Sequence, residues 1–570
     1  MKLNKILLSI ALLPALCSTA TAQPNRGGTA KVTGVTVEYR TSFNGKDSGM
    51  PTFLTADKDY AMLYQEESIK TYIDYADSKL YTTAEFEGKD MFYSEQEFKL
   101  GKDFTLVSTQ SEYMNGWKCL KYTITVKSNS IEVWATTDIG YSGTPIPLYG
   151  VPEGLVLKIV RNGNTVTESV NLRQTIHPLD IMPKSMGEEV TAPHFNYLVQ
   201  NKDVERISVF EDEYLGFNGA KGPESFNESD LDSVYTLAGG SIIMRKVKLP
   251  DEVEGKAIFV TLTQRSVKDA YDRTGSLFVI PQSDGVQSVL DALSSDETKG
   301  LSSLPAFTSG DVDYNGLIST EGYSVPLELM RFFTSFGVGG YNNNEVYGQV
   351  WPDSTVFKQE VTHLAPALHG EVWVGAYIGN WTDKGHKISL DIAYHPSSRG
   401  KDPKQDGVVL PIFNTVNLLE QAGQPYPVFF GEKPLSARFY VEEDIKGAML
   451  VYTTSGHGGW SGGDEFNPKP NTIWLDGDVV MKYTPWRDDC GSYRQRNPSS
   501  GNFSNGLSSS DLSRSAWCPG TITNPIYVDL CDSDGVLRRG WHTIEVSIPQ
   551  GEPEGNGQSY WCISGTIVGQ

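Results

Sequence analysis

Thr543-Ile544-Glu545-Val546-Ser547-Ile548 alternates polar and apolar side chains without a break. A strand, with its repeat of two, turns Ile544, Val546 and Ile548 to one face and the polar residues to the other; a helix scatters them. The same alternation recurs in Lys387-Ile388-Ser389-Leu390-Asp391-Ile392, in Thr123-Ile124-Thr125-Val126 and in Val35-Thr36-Val37-Glu38-Tyr39. Between such runs lie Asn162-Gly163, Asp476-Gly477 and Asp534-Gly535, pairs suited to tight hairpin turns. The chain holds 56 glycines and 30 prolines in 570 residues, and stretches of helical period are scarce. The pattern predicts an all-β chain built of antiparallel sandwiches, jelly rolls or barrels.

Outward from these runs the chain divides into blocks. Residues 1–22 read as a signal peptide: Lys2 and Lys5, an apolar run from Ile6 to Leu16, then Ala20-Thr21-Ala22 as a cleavage site. That run is too short to span a bilayer, and no later segment is long and apolar enough. Leu16 argues against a lipid anchor on Cys17. A secreted or periplasmic protein is expected. Residues 23–185 form a meander of short strands, with hairpins near Asp77-Ser78 and Ser128-Asn129. Residues 186–400 follow with longer connections. A polar stretch rich in Pro and Gly, 396–407, marks the border with the last block, 401–570.

Composition excludes more than it selects. A formal charge of −22 argues against nucleic acid or an anionic membrane surface as partner. The eight histidines form neither H-x-H nor H-E-x-x-H, so a metal site has no motif, and no cofactor is expected. There is no G-x-S-x-G elbow and no phosphate loop. Carboxylate chemistry remains, the usual means of hydrolysis without a metal. Five cysteines follow the cleavage site, an odd number, and four of them fall in the last 81 residues (490 to 570).

Two segments narrow the choice among 70 acids. Gly456-His457-Gly458-Gly459-Trp460-Ser461-Gly462-Gly463-Asp464-Glu465-Phe466 follows the apolar run Ala448 to Tyr452. Its glycines admit a ligand close to the backbone, and Trp460 offers a face for a sugar ring. Such loops are more often plain strand ends with bulges. Arg514-Ser515-Ala516-Trp517-Cys518-Pro519-Gly520 closes a second polar segment, whose Arg514 carries a planar fork of donors suited to hydroxyls or a carboxylate.

In this order, and with Lys268-Asp269-Ala270-Tyr271-Asp272-Arg273, Arg331-Phe332-Phe333-Thr334 and Trp381-Thr382-Asp383-Lys384-Gly385 upstream, the chain resembles the peptide-N-glycosidase F family over roughly residues 205 to 570. The resemblance implies two adjacent eight-stranded jelly rolls with the active site between them. Residues 23–185 resemble GLPGLI-type half-barrels, as in the longer, type II branch of the family. That block is expected to be an open curved sheet that either receives substrate or serves stability or export. Asp272 matches the family's primary catalytic aspartate, Arg273 the arginine beside it, and Glu465 the glutamate of the second roll. Trp381, Arg514 and Trp517 match positions near the chitobiose core, and Cys490 with Cys518 a family disulfide. The family has a further acid two residues before the tryptophan matched by Trp381; here Gly379 stands there. Asp383 and Asp269 are the candidate substitutes, and Asp383 is also taken as a substrate contact. Cys531 with Cys562 is a further conceivable pair.

The implied reaction is hydrolysis of the amide joining the innermost N-acetylglucosamine of an N-glycan to asparagine. It frees a glycosylamine and leaves aspartate, on N-glycosylated proteins and glycopeptides, without a cofactor. Arg273 is expected to keep Asp272 ionised. The alternative is a sugar-binding jelly-roll protein that has lost catalysis, which the glycine at 379 favours and the retention of Asp272 with Glu465 opposes. A copper-dependent hydroxylase of paired jelly rolls would need clustered histidines, which the chain lacks.

Overall fold

The computed structural model describes residues 31–86, 91–101, 103–281, 285–396, 405–426, 429–458, 463–550 and 559–570. Residues 1–22, expected to be a signal peptide, Trp460 and most of the polar connector, 397–404, lie outside the described residues. The chain forms two compact units, residues 1–202 and 203–570.

The first unit is one open sheet, antiparallel except for the short edge strand Glu188–Glu189, which pairs parallel with Phe92–Glu97. Its earliest strand, Gly34–Phe43, lies in the middle, between Thr52–Ala56 and Thr165–Thr175. From there each neighbour is also next in sequence, out to Phe92–Glu97 on one side and Thr105–Met114 on the other. Turns of a few residues suffice for such a meander. Between Trp117–Val126 and Asn129–Thr136, Lys127 and Ser128 both take positive φ (46° and 63°), the geometry of a two-residue hairpin whose twist matches its strands. The alternation predicted for residues 35–39 holds: Val35, Val37 and Tyr39 are buried. The unit runs past residue 185 because the helix Ala192–Gln200, capped by Thr191, seats Phe195 against Phe92 with ring centroids 5.4 Å apart.

The second unit holds both jelly rolls. In the first, Glu205–Leu215, His386–Pro396, Lys256–Ser266 and Thr355–Glu360 make one sheet. Val234–Leu237, Ile242–Lys248, Glu371–Ile378, Thr274–Ile280 and Leu327–Phe333 make the other. Val234–Leu237 is thus a short edge strand beyond the eight expected. In the second roll, Val408–Asn414, Tyr560–Gly569, Met449–His457 and Ile526–Asp529 face Leu435–Val441, Gly540–Ser547, Asn471–Leu475 and Asp478–Tyr483. Ile544 and Val546 are buried and both outer neighbours pair in register, as the opening alternation requires. Asp476-Gly477 forms its turn with φ of 52° and 92°.

Each roll encloses its own apolar core. A third cluster joins them, with Phe278, Trp373 and Tyr377 of the first roll against Val416, Leu418, Leu419 and Cys562 of the second. The rolls are tied further. Ile522–Thr523, from the second half of the chain, pairs with Arg331 and Phe332 at the edge of the first roll's sheet. Buried Arg331 donates to Ser455 and to the Cys562 carbonyl, both at 3.0 Å, and its charge is met by Glu328 at 2.6 Å.

The disulfide joins Cys490 to Cys518. Cys531 and Cys562 are not joined; both are free thiols, as is Cys119. Cys531 packs on Ala448 at one end of Met449–His457, whereas Cys562 pairs with Ser455 near the other. Seven residues of strand at about 3.3 Å each separate them by roughly 20 Å, well beyond the reach of a disulfide.

Candidate active site

Asp272 sits in the short connection between Lys256–Ser266 and Thr274–Ile280. The connection is pinned on both sides of it. Buried Asp269 accepts the Tyr271 N–H at 3.1 Å, and the Ser266 hydroxyl donates to the Asp269 carbonyl at 2.6 Å. Arg273 exchanges backbone and side-chain hydrogen bonds with Thr334. Glu465 comes from the loop after Met449–His457, where its N–H donates to Gly458 and its carbonyl accepts the Ser515 N–H.

The two acids meet through one cation. Arg514, 1% exposed, donates from Nε to Glu465 at 2.9 Å, and its Nη2 lies 3.8 Å from the Asp272 carboxylate. Its Nη1 donates to the Leu512 carbonyl and its Nη2 to the Ser509 hydroxyl. The guanidinium also lies over the Phe466 and Trp517 rings, 5.1 and 4.9 Å from their centroids. The segment that carries Arg514 pairs with Arg487 and is stapled by the disulfide.

Above this pair opens a cleft of about 320 Å³. Asp272, Arg273, Trp381, Glu465 and Trp517 line it, together with Tyr377, Gly379, Asn417, Glu420, His457 and Tyr560. Burial raises the pKa of both Asp272 and Glu465, and Arg514 works against that rise in each. His457 stacks between Trp517 and Tyr560 and hydrogen-bonds Ser455. Burial, with Arg331 nearby, holds it down at about 3, so it is neutral. A larger hollow of about 570 Å³ lies at Arg487, Tyr493 and Thr523. Its acid, Asp489, is bound to Arg487 at 2.6 Å, so it offers no free carboxylate pair.

Three family descriptions match the chain: "Peptide-N-glycosidase F, N terminal" over residues 206–394, "Peptide-N-glycosidase F, C terminal" over 425–568, and "N-glycanase peptide, N-terminal domain" over 38–188. Solved structures of PNGF-II in two crystal forms are 38% identical to it and cover 94% of it. They are themselves covered to 99% and 98%, with TM-scores of 0.86 and 0.77. The chain belongs to the peptide-N-glycosidase F family. A recombinant PNGase F structure is 16% identical, covering 65% of this chain and 96% of its own, with a TM-score of 0.43. No curated protein matches.

The peptide-N-glycosidase F cleft receives most, not all, of the residues singled out from sequence. Asp272, Glu465, Arg273, Trp381 and Trp517 line it, and Trp381 is 56% exposed at its rim beside Phe217. Trp517 is buried, stacked on Phe333 at 4.3 Å with its N–H spent on the Gly456 carbonyl. Arg514 does not line the cleft; buried, with each of its three nitrogens hydrogen-bonded to protein, it braces the acids rather than reaching outward. Arg273 turns its guanidinium on Asp269, at 2.8 Å, not directly on Asp272. Neither candidate for the missing third acid reaches the cleft. Asp383 is exposed and paired with Lys384. Asp269 is buried; burial alone would raise its pKa, but the His386 ring 3.5 Å away and hydrogen bonds from Arg273 bring it to about 2. The acid that does reach the cleft is Glu420, between buried Leu419 and Gln421 in the inter-roll loop. No motif marks it. The only hint in the sequence is a lone acid beside the Leu418-Leu419 pair.

Proposed function

We propose that this chain hydrolyses the amide between the innermost N-acetylglucosamine of an N-glycan and its asparagine, freeing the glycan as a glycosylamine and leaving aspartate. The observation that carries this reading is the sharing of Arg514 by Asp272 and Glu465, which puts acids from two rolls at the floor of one cleft. An amide placed there has a carboxylate on either side, and fixed geometry of this kind lowers the barrier before any proton moves.

In the proposed reaction a water molecule adds to the amide carbon while Asp272 takes its proton. Glu465 holds the bond in line from the opposite roll. The C–N bond then breaks, the sugar nitrogen gains a proton and departs as an amine, and the new carboxylic acid ionises to aspartate. Trp381, broad and exposed at the rim, stacks on the sugar. N-glycosylated proteins and glycopeptides are the substrates. The signal peptide reading makes the mature protein, from Gln23, a secreted or periplasmic one. No described helix is long and apolar enough to cross a membrane.

The test is direct. Purified residues 23–570 are expected to release intact N-glycans from a denatured glycoprotein in the presence of a chelator, and Asp272→Asn is expected to release none. Unchanged glycoprotein mobility with the wild-type chain refutes the reading. Turnover by Asp272→Asn at near the wild-type rate removes Asp272 from its role.

A further inference from the structure

A cation laid against a carboxylate favours its ionised form and so weakens it as a base. In the amidase reading, on which this inference rests, Asp272 takes a proton from water, and Arg514 already lies 3.8 Å from its carboxylate. The next residue in the chain, Arg273, is a second cation and lines the same cleft. Unopposed, it would weaken Asp272 further. Its charge is taken up elsewhere.

Asp269 engages Arg273 with both oxygens. Arg273 Nε donates to Oδ2 at 2.8 Å and Nη2 to Oδ1 at 3.2 Å. The Tyr271 ring lies 5.3 Å from the same guanidinium, and the Thr334 hydroxyl accepts the Arg273 N–H at 2.8 Å. Among the described residues no ion pair joins Arg273 to Asp272, its neighbour in sequence.

Asp269 is itself built into place. It is 1% exposed, and Oδ1 also accepts the Tyr271 N–H at 3.1 Å. Its Oδ2 faces Nε2 of His386 at 3.5 Å. His386 is fully buried and starts the strand His386–Pro396; its Nδ1 lies 2.9 Å from Nε2 of Gln264, which is fully buried too. An amide N–H given to Nδ1 leaves the imidazole proton on Nε2, toward Asp269. Burial pushes the His386 pKa down, so the ring adds no charge at neutral pH. A carboxylate, an imidazole and an amide buried side by side cost desolvation unless they satisfy one another. Here the row ends on Arg273 and closes a nearly neutral unit.

The charged groups that act on Asp272 are few. Arg514 and Glu465 come from the second roll, Arg273 and Asp269 from its own connection. Tyr377, Glu420, His457 and Tyr560 line the same cleft. Burial raises the Asp272 pKa and Arg514 lowers it; Arg273 and Asp269 then act in opposite directions.

We infer that Asp269 is a positioning residue of the reaction: it holds the Arg273 guanidinium and neutralises it, so that Asp272 meets one effective cation, Arg514, and stays basic enough to take a proton from water.

The experiment is steady-state turnover of a glycopeptide from pH 4 to 10 by the wild-type chain, Asp269→Asn, the double variant Asp269→Asn with Arg273→Gln, and Arg273→Lys. The acid limb of kcat/KM belongs to the Asp272 and Glu465 pair, which shares Arg514. Asp269→Asn keeps the shape and leaves the Arg273 charge unmet. Its acid limb is expected to move to lower pH by about one unit or more, and its plateau to fall about tenfold or more. Adding Arg273→Gln removes the freed cation and should bring the limb back to the wild-type position. An unmoved limb in Asp269→Asn, or one that the double variant does not bring back, overturns the inference. An aspartate that only shaped the turn would lower the rate or the melting temperature and leave the limb in place. Should Asp269→Asn not melt cooperatively, Arg273→Lys decides, because it keeps the charge and loses the two-pronged hold: a limb moved to lower pH supports the inference and an unmoved one overturns it. A wild-type chain without turnover overturns the amidase reading and this inference with it; a working wild type whose limb ignores these variants overturns this inference alone.

Discussion

Arg514 donates to Glu465 at 2.9 Å from beneath the cleft, not from its wall. A buried guanidinium beside two carboxylates fixes where both acids point, and removing it strands two partly buried charges. Arg514→Ala is therefore expected to cost about 3–5 kcal/mol of stability, seen as a lowered thermal midpoint. Arg514→Lys keeps the charge and loses the fork. It should fold, yet turn over about a hundredfold more slowly, with KM little changed, because placement and not substrate contact is lost. A Lys variant with normal kcat would leave the brace without a role.

Stability should carry the signature of Glu420. Its ordinary pKa is 4.5 and its folded value about 7. Below 4.5 the carboxyl is protonated in both states. Between the two values the folded chain holds a proton that the unfolded chain releases, so stability falls as pH rises through that window and the loss is complete above 7. Glu420→Gln removes this term. Relative to wild type it should gain up to a few kcal/mol at pH 8 over pH 4.5, read as the difference in denaturant midpoints. A difference independent of pH would mean that Glu420 titrates normally.

Trp381→Ala should act on binding. The ring is exposed at the rim, and among the described residues its one ring partner is Phe217. Loss of about 0.5–1.5 kcal/mol of stacking predicts KM raised roughly two- to tenfold, with kcat and the melting curve unchanged. An unchanged KM would place the sugar elsewhere.

The disulfide closes a loop with a sequence separation of 28, and it carries the segment with Arg514. In the chain-entropy picture a loop of that size contributes about 3–4 kcal/mol. The double variant Cys490→Ser, Cys518→Ser should melt at lower temperature and lose activity before it loses the strand signal in circular dichroism. Equal midpoints for the two signals would show that the brace does not depend on the staple.

Much of this was legible in the sequence because strands announce themselves locally. The alternation at 543–548 and the Asp-Gly turn at 476 depend on neighbours within a few residues, and both are seen. The acids Asp272 and Glu465 were found through motifs, which are local too. What escaped depends on distance across the fold. Arg514 resembled a substrate contact because sequence does not say whether a fork of donors is already filled. Glu420 escaped because a single acid beside two leucines has no pattern; only the packing of two rolls turns it to the cleft. The Cys531 and Cys562 pairing failed for the same reason, since both touch one strand but at opposite ends.

The strand Ile522–Thr523 completes the sheet edge at Arg331 and Phe332. During synthesis, that edge emerges about 190 residues before its partner does, which at ribosomal rates is roughly 10–40 s. For that interval the nascent first roll has an uncovered strand, the kind of surface on which chains pair with one another. Such chains have to be kept apart until the last fifty residues arrive.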